Sequence, residues 1–401
     1  MSTVRSALVI GGGIAGPVAA AALHKAGIAA KVYEAYPEAS NGIGGKLALE
    51  ANGLAALEII GAADAVCAAA TPITRSVMSF ARKGPVEMPQ LHEVPPRRVI
   101  DRGDLHRILH ERASAADVPF AYGKRLVGID ESDGGVKATF GDGSTARADI
   151  LVGADGVRST VRRLVDPQAP NAKYTGMLGF GGVVDADLGL EPGVMTFVFG
   201  RRAYYLYWPE PDGRVSWGAN LPSERYLTVT QARTVAPEEW LRILRETYAD
   251  DDPGALLVQG TAPQTLDVAG ALHIMPPVPH WHRGRMVLVG DAVHAPSNST
   301  GQGASLAIES AIEVARCLRD FPDASSAFAA YEGVRRSRVE KIAARGAKIN
   351  FTKAPGPLAR KLMPVILPLV FKTMNVEKTI GAETGYRIDW SEPVMASFRP
   401  T

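Results

Sequence analysis

An α/β fold is predicted for this 401-residue chain: a discontinuous parallel-sheet domain, interrupted by a strand-rich insertion and followed by C-terminal helices. A glycine-rich turn joins an apolar run to an Ala-rich run within residues 6–26. Two more short apolar runs, Ile150–Val152 and Met286–Val289, read as strands buried on both faces. Between them, residues 173–222 are rich in aromatic and β-branched side chains separated by turn residues, which is strand composition.

Taken in order, Ser6–Ile10 is a buried strand, Ile14–Ala26 a helix closed by Lys25 and Gly27, and Ala30–Glu34 the next strand. Together they make a βαβ unit, so the domain is Rossmann-like. A helix is expected over Leu54–Val66, irregular chain with Pro85, Pro89, Pro95 and Pro96 over 71–97, and a helix over Asp104–Ala116. Residues 126–147 read as a hairpin carrying two turn signals, Asp133-Gly134-Gly135 and Gly141-Asp142-Gly143. After the strand at Ile150–Val152, strands run from Lys173 to about Pro222, two of them joined by the turn Glu210-Pro211-Asp212-Gly213. A helix over Pro237–Ala249, a strand over Met286–Val289 and a helix from Gly301 to Leu318 come next, then helical segments over 325–349 and 357–375. This pattern assigns 1–70, 98–172 and 274–349 to the nucleotide-binding domain and 71–97 and 173–273 to a β-sheet substrate domain. Residues 350–401 form a C-terminal helical segment.

Composition narrows the function classes. With 46% hydrophobic residues the chain is too apolar for disorder, despite 41 Gly and 28 Pro. A net charge of +2 with the signs mixed argues against nucleic acid or an anionic membrane as partner. Cys67 and Cys317 are far apart and lack metal-ligand spacing, so both read as free thiols and no metal is expected. The apolar run Leu362–Phe371 is short and broken by Pro364 and Pro368, which excludes a span. MSTVRSALVIGGG carries no leader pattern, so a cytoplasmic protein, monomer or homodimer, is expected.

Chemistry concentrates in dispersed motifs. Gly11-x-Gly13-x-x-Gly16, with Ile14 and Ala15 opening the helix, comes directly after a strand; Glu34 ends the next one. Glycines there admit a pyrophosphate against the backbone and helix N-terminus, and an acid at that distance accepts from ribose hydroxyls. This identifies a dinucleotide without separating NAD from FAD. Asp291, in Gly290-Asp291-Ala292-Val293-His294, lies just past a buried strand, where a carboxylate is costly unless hydroxyls or amides meet it. The ribityl chain of a flavin supplies hydroxyls. Gly301-Gln302-Gly303 then opens a helix whose free N–H groups favour an anionic reduced flavin. Asp155 in Gly153-Ala154-Asp155-Gly156 is placed to tie loops together through backbone N–H groups, a structural role that need not compete with a functional one.

In order and spacing these motifs resemble the fingerprints of the para-hydroxybenzoate-hydroxylase-like (class A) FAD-dependent monooxygenases, over about residues 4–345. The resemblance implies that Glu34 holds the adenosine ribose and Asp291 the ribityl chain, with Gly301, Gln302 and Gly303 at the pyrimidine edge of the flavin. It also places Arg102 near FAD, Gly45, Lys46 and Leu47 in the loop passing the ring, and Asp155 at FAD and NAD(P)H. The implied reaction uses FAD, NADPH or NADH as transient reductant, and O2. One oxygen atom reaches a small molecule through a flavin C4a-(hydro)peroxide, with no side-chain nucleophile and no separate nicotinamide domain.

The sequence departs from that family at two points. Asn298 stands where a proline is common, as a substrate contact or a turn residue; Lys46 stands where glycine is frequent, as a cation beside the flavin or a solvent-facing side chain. His294 reads as a loop residue or a polar group near the ring. The substrate surface is expected on the insertion sheet, from Arg202, Tyr205, Tyr207 and Trp217 among the aromatics at 204–217. An aromatic wall with few charges favours a planar aromatic or polyketide-like molecule. Hydroxylation, epoxidation and Baeyer–Villiger insertion stay open, as does a non-oxygenating flavin oxidoreductase.

Overall fold

The computed structural model describes residues 3–38, 45–80, 83–132, 134–352 and 376–394. The expected helix over 357–375 lies outside them.

The first sheet has six strands in the order 282–283, 286–288, 150–153, 6–10, 29–33, 120–121. Its central pairs are parallel, Ile10 lying beside Gly153 on one side and Tyr33 on the other. The strands 6–10, 150–153 and 286–288 are apolar and almost wholly buried, as both faces are covered there. On one face the helix Ala15–Lys25 packs against the helix Gly303–Asp320. Alanines make this close approach possible: Ala19, Ala20 and Ala22 on one helix and Ala311 and Ala315 on the other are fully buried.

The second sheet has seven strands in the order 267–274, 173–184, 215–222, 204–209, 194–199, 75–80, 83–87. It is antiparallel except where Val194–Phe199 runs parallel to Arg75–Phe80. The helix Pro237–Tyr248 covers one face, burying Trp240, Leu241, Leu244 and Tyr248. A three-stranded sheet of Lys46–Leu49, Arg97–Asp101 and Thr71–Ile73 lies between the two larger ones in sequence.

Several boundaries differ from expectation. The helix foreseen over Leu54–Val66 is two helices, Ala51–Ile59 and Ala63–Ala69. Gly61 takes φ +69° between them, while its N–H and that of Ala62 bond back to the carbonyls of Glu58 and Leu57. That is a Schellman stop, available because glycine has no Cβ to oppose the left-handed conformation. The 126–147 segment folds as three antiparallel strands, Leu126–Ser132, Gly135–Phe140 and Thr145–Ala148, since it holds two turns. The long helix begins at Gly303; Gly301 sits in the left-handed region after a short turn at Asn298–Thr300.

Candidate functional site

Between the two large sheets lies a cavity of about 1030 Å3. It is lined by Gly13–Ala15, Gly45–Ala48, Asp101, Arg102, Asp291, the loop 295–298, Gly301 and Gly303, and by one face of the second sheet. Single-ligand pockets usually run to about 300–1,000 Å3, so there is space here for a cofactor and a small molecule together.

The glycine turn is built for close approach. Gly11 has φ +106°, and a Cβ there would collide with the Ala154 carbonyl of the neighbouring strand. A Cβ on Gly16 would strike the Gly11 carbonyl oxygen. Glu34 leaves the end of its strand with one carboxylate oxygen accepting the Gly12 N–H at 2.7 Å and the other the Tyr36 N–H at 2.9 Å.

Asp291 is half-buried and placed differently from the fully buried acids. It comes after the strand Met286–Leu288 in a single turn, Gly290–Ala292, and lines the cavity. Among the described residues its carboxylate has no hydrogen bond or ion pair. Burial lifts its pKa above the carboxylate range, opposed only by the nearby charge of Arg102. Arg102 itself lines the cavity, its backbone N–H bonded to the Gly45 carbonyl at 3.1 Å. A turn that excludes a Cβ at Gly11 and Gly16 and a carboxylate lacking hydroxyl donors both suit the phosphates and polyol of FAD.

Gly301 and Gly303 line the cavity, but the Gln302 side chain does not. It is buried behind the turn, where its Oε1 accepts the Asn52 Nδ2 at 3.0 Å. Asn52 also donates to Glu309 at 2.6 Å, and Glu309 is paired with Arg335 at 2.6 Å and Arg338 at 2.8 Å. This buried polar network holds the turn from the rear. The sequence reading missed it, although Glu309 and Glu313 interrupt an otherwise apolar helix at i, i+4 spacing. His294 is also buried behind the loop, its Nε2 2.8 Å from Ser310 Oγ and its ring against Trp281. Burial pushes its pKa down to about 3.

Asp155 does not line the cavity. Its carboxylate accepts Ser159 Oγ and the N–H groups of Thr160 (2.7 Å) and Val161 (3.1 Å), capping the helix Thr160–Val165. Of the two roles open to it, the structure displays the loop-tying one. Lys46 lines the cavity and is partly exposed, but its ammonium is held by acids. Its Nζ is 2.8 Å from Asp101 and 3.3 Å from Glu210. Glu210 in turn accepts Thr71 Oγ1 (2.6 Å), Trp208 Nε1 (3.1 Å) and Ser216 Oγ (2.5 Å).

The aromatic expectations divide by strand alternation. Leu206 and Trp208 line the cavity. Tyr205 and Tyr207 lie on the opposite, helix-covered face, where the Tyr205 hydroxyl accepts the Gly254 N–H at 3.3 Å and its ring meets Tyr248 edge-on. Trp217 opposes Tyr207 in register and donates to Thr261 Oγ1 at 2.9 Å; its ring packs in the helix-side core and only borders the cavity. Arg202 is off the site altogether, donating to the Glu246 carbonyl and pairing with Asp250 at 3.1 Å. Asn298 does line the cavity, its Nδ2 donating to Asn220 Oδ1 at 3.2 Å. Trp208 is one of the aromatics expected at 204–217, whereas Asn220, Gly179, Gly181 and Gly218 are wall residues that the sequence reading did not single out.

Among the described residues no helix is long and apolar enough to cross a membrane, and no cluster of ligating side chains is suited to a metal.

With this geometry in hand, comparison with known proteins is direct. Residues 5–345 match the family described as FAD binding domain. The chain is 30% identical to 6-hydroxynicotinate 3-monooxygenase of Pseudomonas fluorescens over 364 residues, covering 83% of this chain and 88% of the relative. It is 29% identical to an aurachin C monooxygenase/isomerase of Stigmatella aurantiaca, covering 87% and 90%. Among solved structures it is similar to Klebsiella pneumoniae HpxO complexed with FAD and uric acid, with a TM-score of 0.81 at 26% identity over 95% of this chain and 96% of that one. A glycine cradle, an unsatisfied carboxylate and a sheet-walled cavity thus coincide with sequence and fold: the chain belongs to the FAD binding domain family and is an FAD-dependent oxidoreductase of the class A monooxygenase group.

Proposed function

We propose that this protein uses NADPH or NADH and O2 to insert one oxygen atom into a small planar aromatic molecule. The observation that carries the reading is a single cavity joining the Gly13–Ala15 cradle and Asp291 to a sheet face of Gly179, Gly181, Gly218 and Trp208. Gly181 and Gly218, opposite one another on that face, leave a flat floor on which a ring can lie, and Trp208 offers it an aromatic neighbour. Names of relatives point the same way, since they act on ring compounds.

In this reading Gly11, Gly13 and Gly16, with the N–H groups of Ile14 and Ala15, receive the pyrophosphate of FAD. Glu34 takes the adenosine ribose and Asp291 the ribityl hydroxyls. Arg102 supplies positive charge, and Gly45–Leu47 flank the ring. Bound FAD would supply the redox chemistry with oxygen. The backbone N–H groups from Gly301 to Gly303 then stabilise negative charge at the helix start. Asp155 acts through the Thr160–Val165 helix rather than by touching the cofactor. The discontinuous division into a nucleotide domain and a sheet domain belongs to the same proposal, and so does action as a monomer or homodimer. The test is a screen for ring compounds that stimulate NADPH or NADH oxidation by the purified flavoprotein, with product mass measured for each. A gain of one oxygen supports the reading; stimulated oxidation yielding only hydrogen peroxide, with every compound recovered unchanged, refutes it.

A further inference from the structure

The charges around the cavity are already committed. Among the described residues its wall carries three permanently charged cations: Lys46, Arg102 and Arg233. Lys46 lies between Asp101 and Glu210, at 2.8 and 3.3 Å. Arg233 is 3.5 Å from Asp267, and its Nε donates to the Val268 carbonyl at 3.2 Å. Arg102 stands in the field of Asp291 and Asp267, and the proposed function gives it to FAD. The expected arginine of the aromatic strand, Arg202, is spent on Asp250 outside the cavity.

The cluster at Lys46 has an excess of negative charge: one ammonium against two carboxylates. Glu210 stays ionised there. Burial alone would lift its pKa, but the hydroxyls of Ser216 and Thr71 and the Lys46 ammonium outweigh that and hold it below the usual range. The cluster adjoins the floor directly, because the indole N–H of Trp208, a wall residue, donates to Glu210. The uncharged polar side chains on the same wall include Ser297, Gln264, Thr265 and the amides of Asn220 and Asn298, which bond to each other at 3.2 Å.

We propose that the Lys46–Asp101–Glu210 cluster sets the charge class of the substrate, so that the cavity accepts an uncharged planar ring with hydroxyl or amide edges and rejects the same ring bearing a carboxylate. The proposal rests on the reading of the glycine-floored face as the substrate wall. A carboxylate about 8 Å from one uncompensated negative charge, at an effective dielectric of about 20, binds roughly 30-fold more weakly than its neutral counterpart.

The test uses the full FAD-loaded protein and matched probes: 2-hydroxypyridine against 6-hydroxynicotinate, and 1-naphthol against 1-hydroxy-2-naphthoate. Binding is read from the change in flavin absorption. Wild type is expected to prefer the neutral member of each pair at least roughly 10-fold. In Glu210→Gln the preference ratio should move toward the carboxylate by about 10-fold, and in the more exposed Asp101→Asn by less. Using the ratio removes any general loss of folding, because a merely structural defect moves both members alike. A wild type that prefers the carboxylates, or a Glu210→Gln ratio equal to wild type, overturns the charge assignment alone. A flavin that stays bound but responds to no probe of either class overturns the substrate-wall reading beneath it.

Discussion

Replacing Asp291 separates two effects that ordinarily travel together, cofactor affinity and stability of the cofactor-free fold. Its carboxylate is half-buried, faces the cavity and receives no donor from the described protein. Each hydrogen bond to an ionised group is worth about 1.5–3 kcal/mol. If two ribityl hydroxyls supply them, Asp291→Ala should weaken FAD binding by about 3–6 kcal/mol, or roughly 100- to 10,000-fold in Kd. Asn keeps one acceptor and loses the charge, so Asp291→Asn should fall at about half that cost in free energy. The cofactor-free protein should respond the other way. Removing a partly desolvated, unpaired charge relieves about 1 kcal/mol or less, because the group is partly exposed and Arg102 loses its opposing charge. We therefore expect cofactor-free Asp291→Asn to melt at or slightly above wild type while retaining far less flavin. Flavin titration of deflavinated protein and thermal melts with and without FAD measure both. Wild-type Kd in Asp291→Ala would refute the ribityl assignment; a clear drop in the melting temperature of cofactor-free Asp291→Asn would refute the claim that the carboxylate is unsatisfied.

Three further outcomes are expected from the geometry. Gly16→Ala places a methyl group against the Gly11 carbonyl, a backbone atom that cannot swing aside; overpacking of this kind costs about 1–3 kcal/mol, and urea unfolding should register it together with loss of bound FAD. His294 has its folded pKa lowered from 6.5 to about 3, so the unfolded chain binds the extra proton and the histidine's contribution is complete above about pH 6.5 and lost as pH falls toward 3. His294→Gln keeps a polar partner for Ser310 without titrating; between pH 7 and pH 5 it should lose about 2 kcal/mol less than wild type, and parallel acid profiles would refute the assignment. Arg335→Met removes one of the two arginines on buried Glu309 and should cost about 3–5 kcal/mol, whereas adding Glu309→Gln should recover part of it; a further loss in the double variant contradicts an ion-pair origin.

Much of the fold was legible because its signals are local. The strand, glycine turn and helix at 6–25 declare themselves within twenty residues, and the Glu210–Gly213 turn appears where its sequence placed it, with Gly213 at φ +86°. The substrate wall was not legible in the same way. Alternation along 204–208 separates Tyr205 and Tyr207 from Leu206 and Trp208, but which set meets the cavity depends on which face Pro237–Tyr248 covers. That is a contact between segments some thirty residues apart. The role of Lys46 was hidden for a similar reason: Asp101 reaches it through strand pairing and Glu210 through the second sheet.

Asp155 and Asp291 show where local reading ends. Each is an acid just beyond a short buried strand, at Ile150–Gly153 and Met286–Leu288, and each is desolvated enough to raise its pKa. The backbone path beyond each acid separates the two. After Asp155 the chain turns into the Thr160–Val165 helix, so Ser159 Oγ and two helix-start N–H groups meet the carboxylate. After Asp291 it makes a single turn, and the donors nearest in sequence are spent elsewhere: the N–H groups of Val293 and His294 both bond to the Gly290 carbonyl. The fully buried acids also have partners: Glu50 has Arg97, Glu309 has Arg335 and Arg338, and Glu383 has Arg345. Against that background an acid without donors, opening on a cavity, is costly to the protein by itself. Under the proposed function, a hydroxyl-bearing ligand in the cavity would account for its place, and that would distinguish FAD from a dinucleotide held by the glycine turn alone.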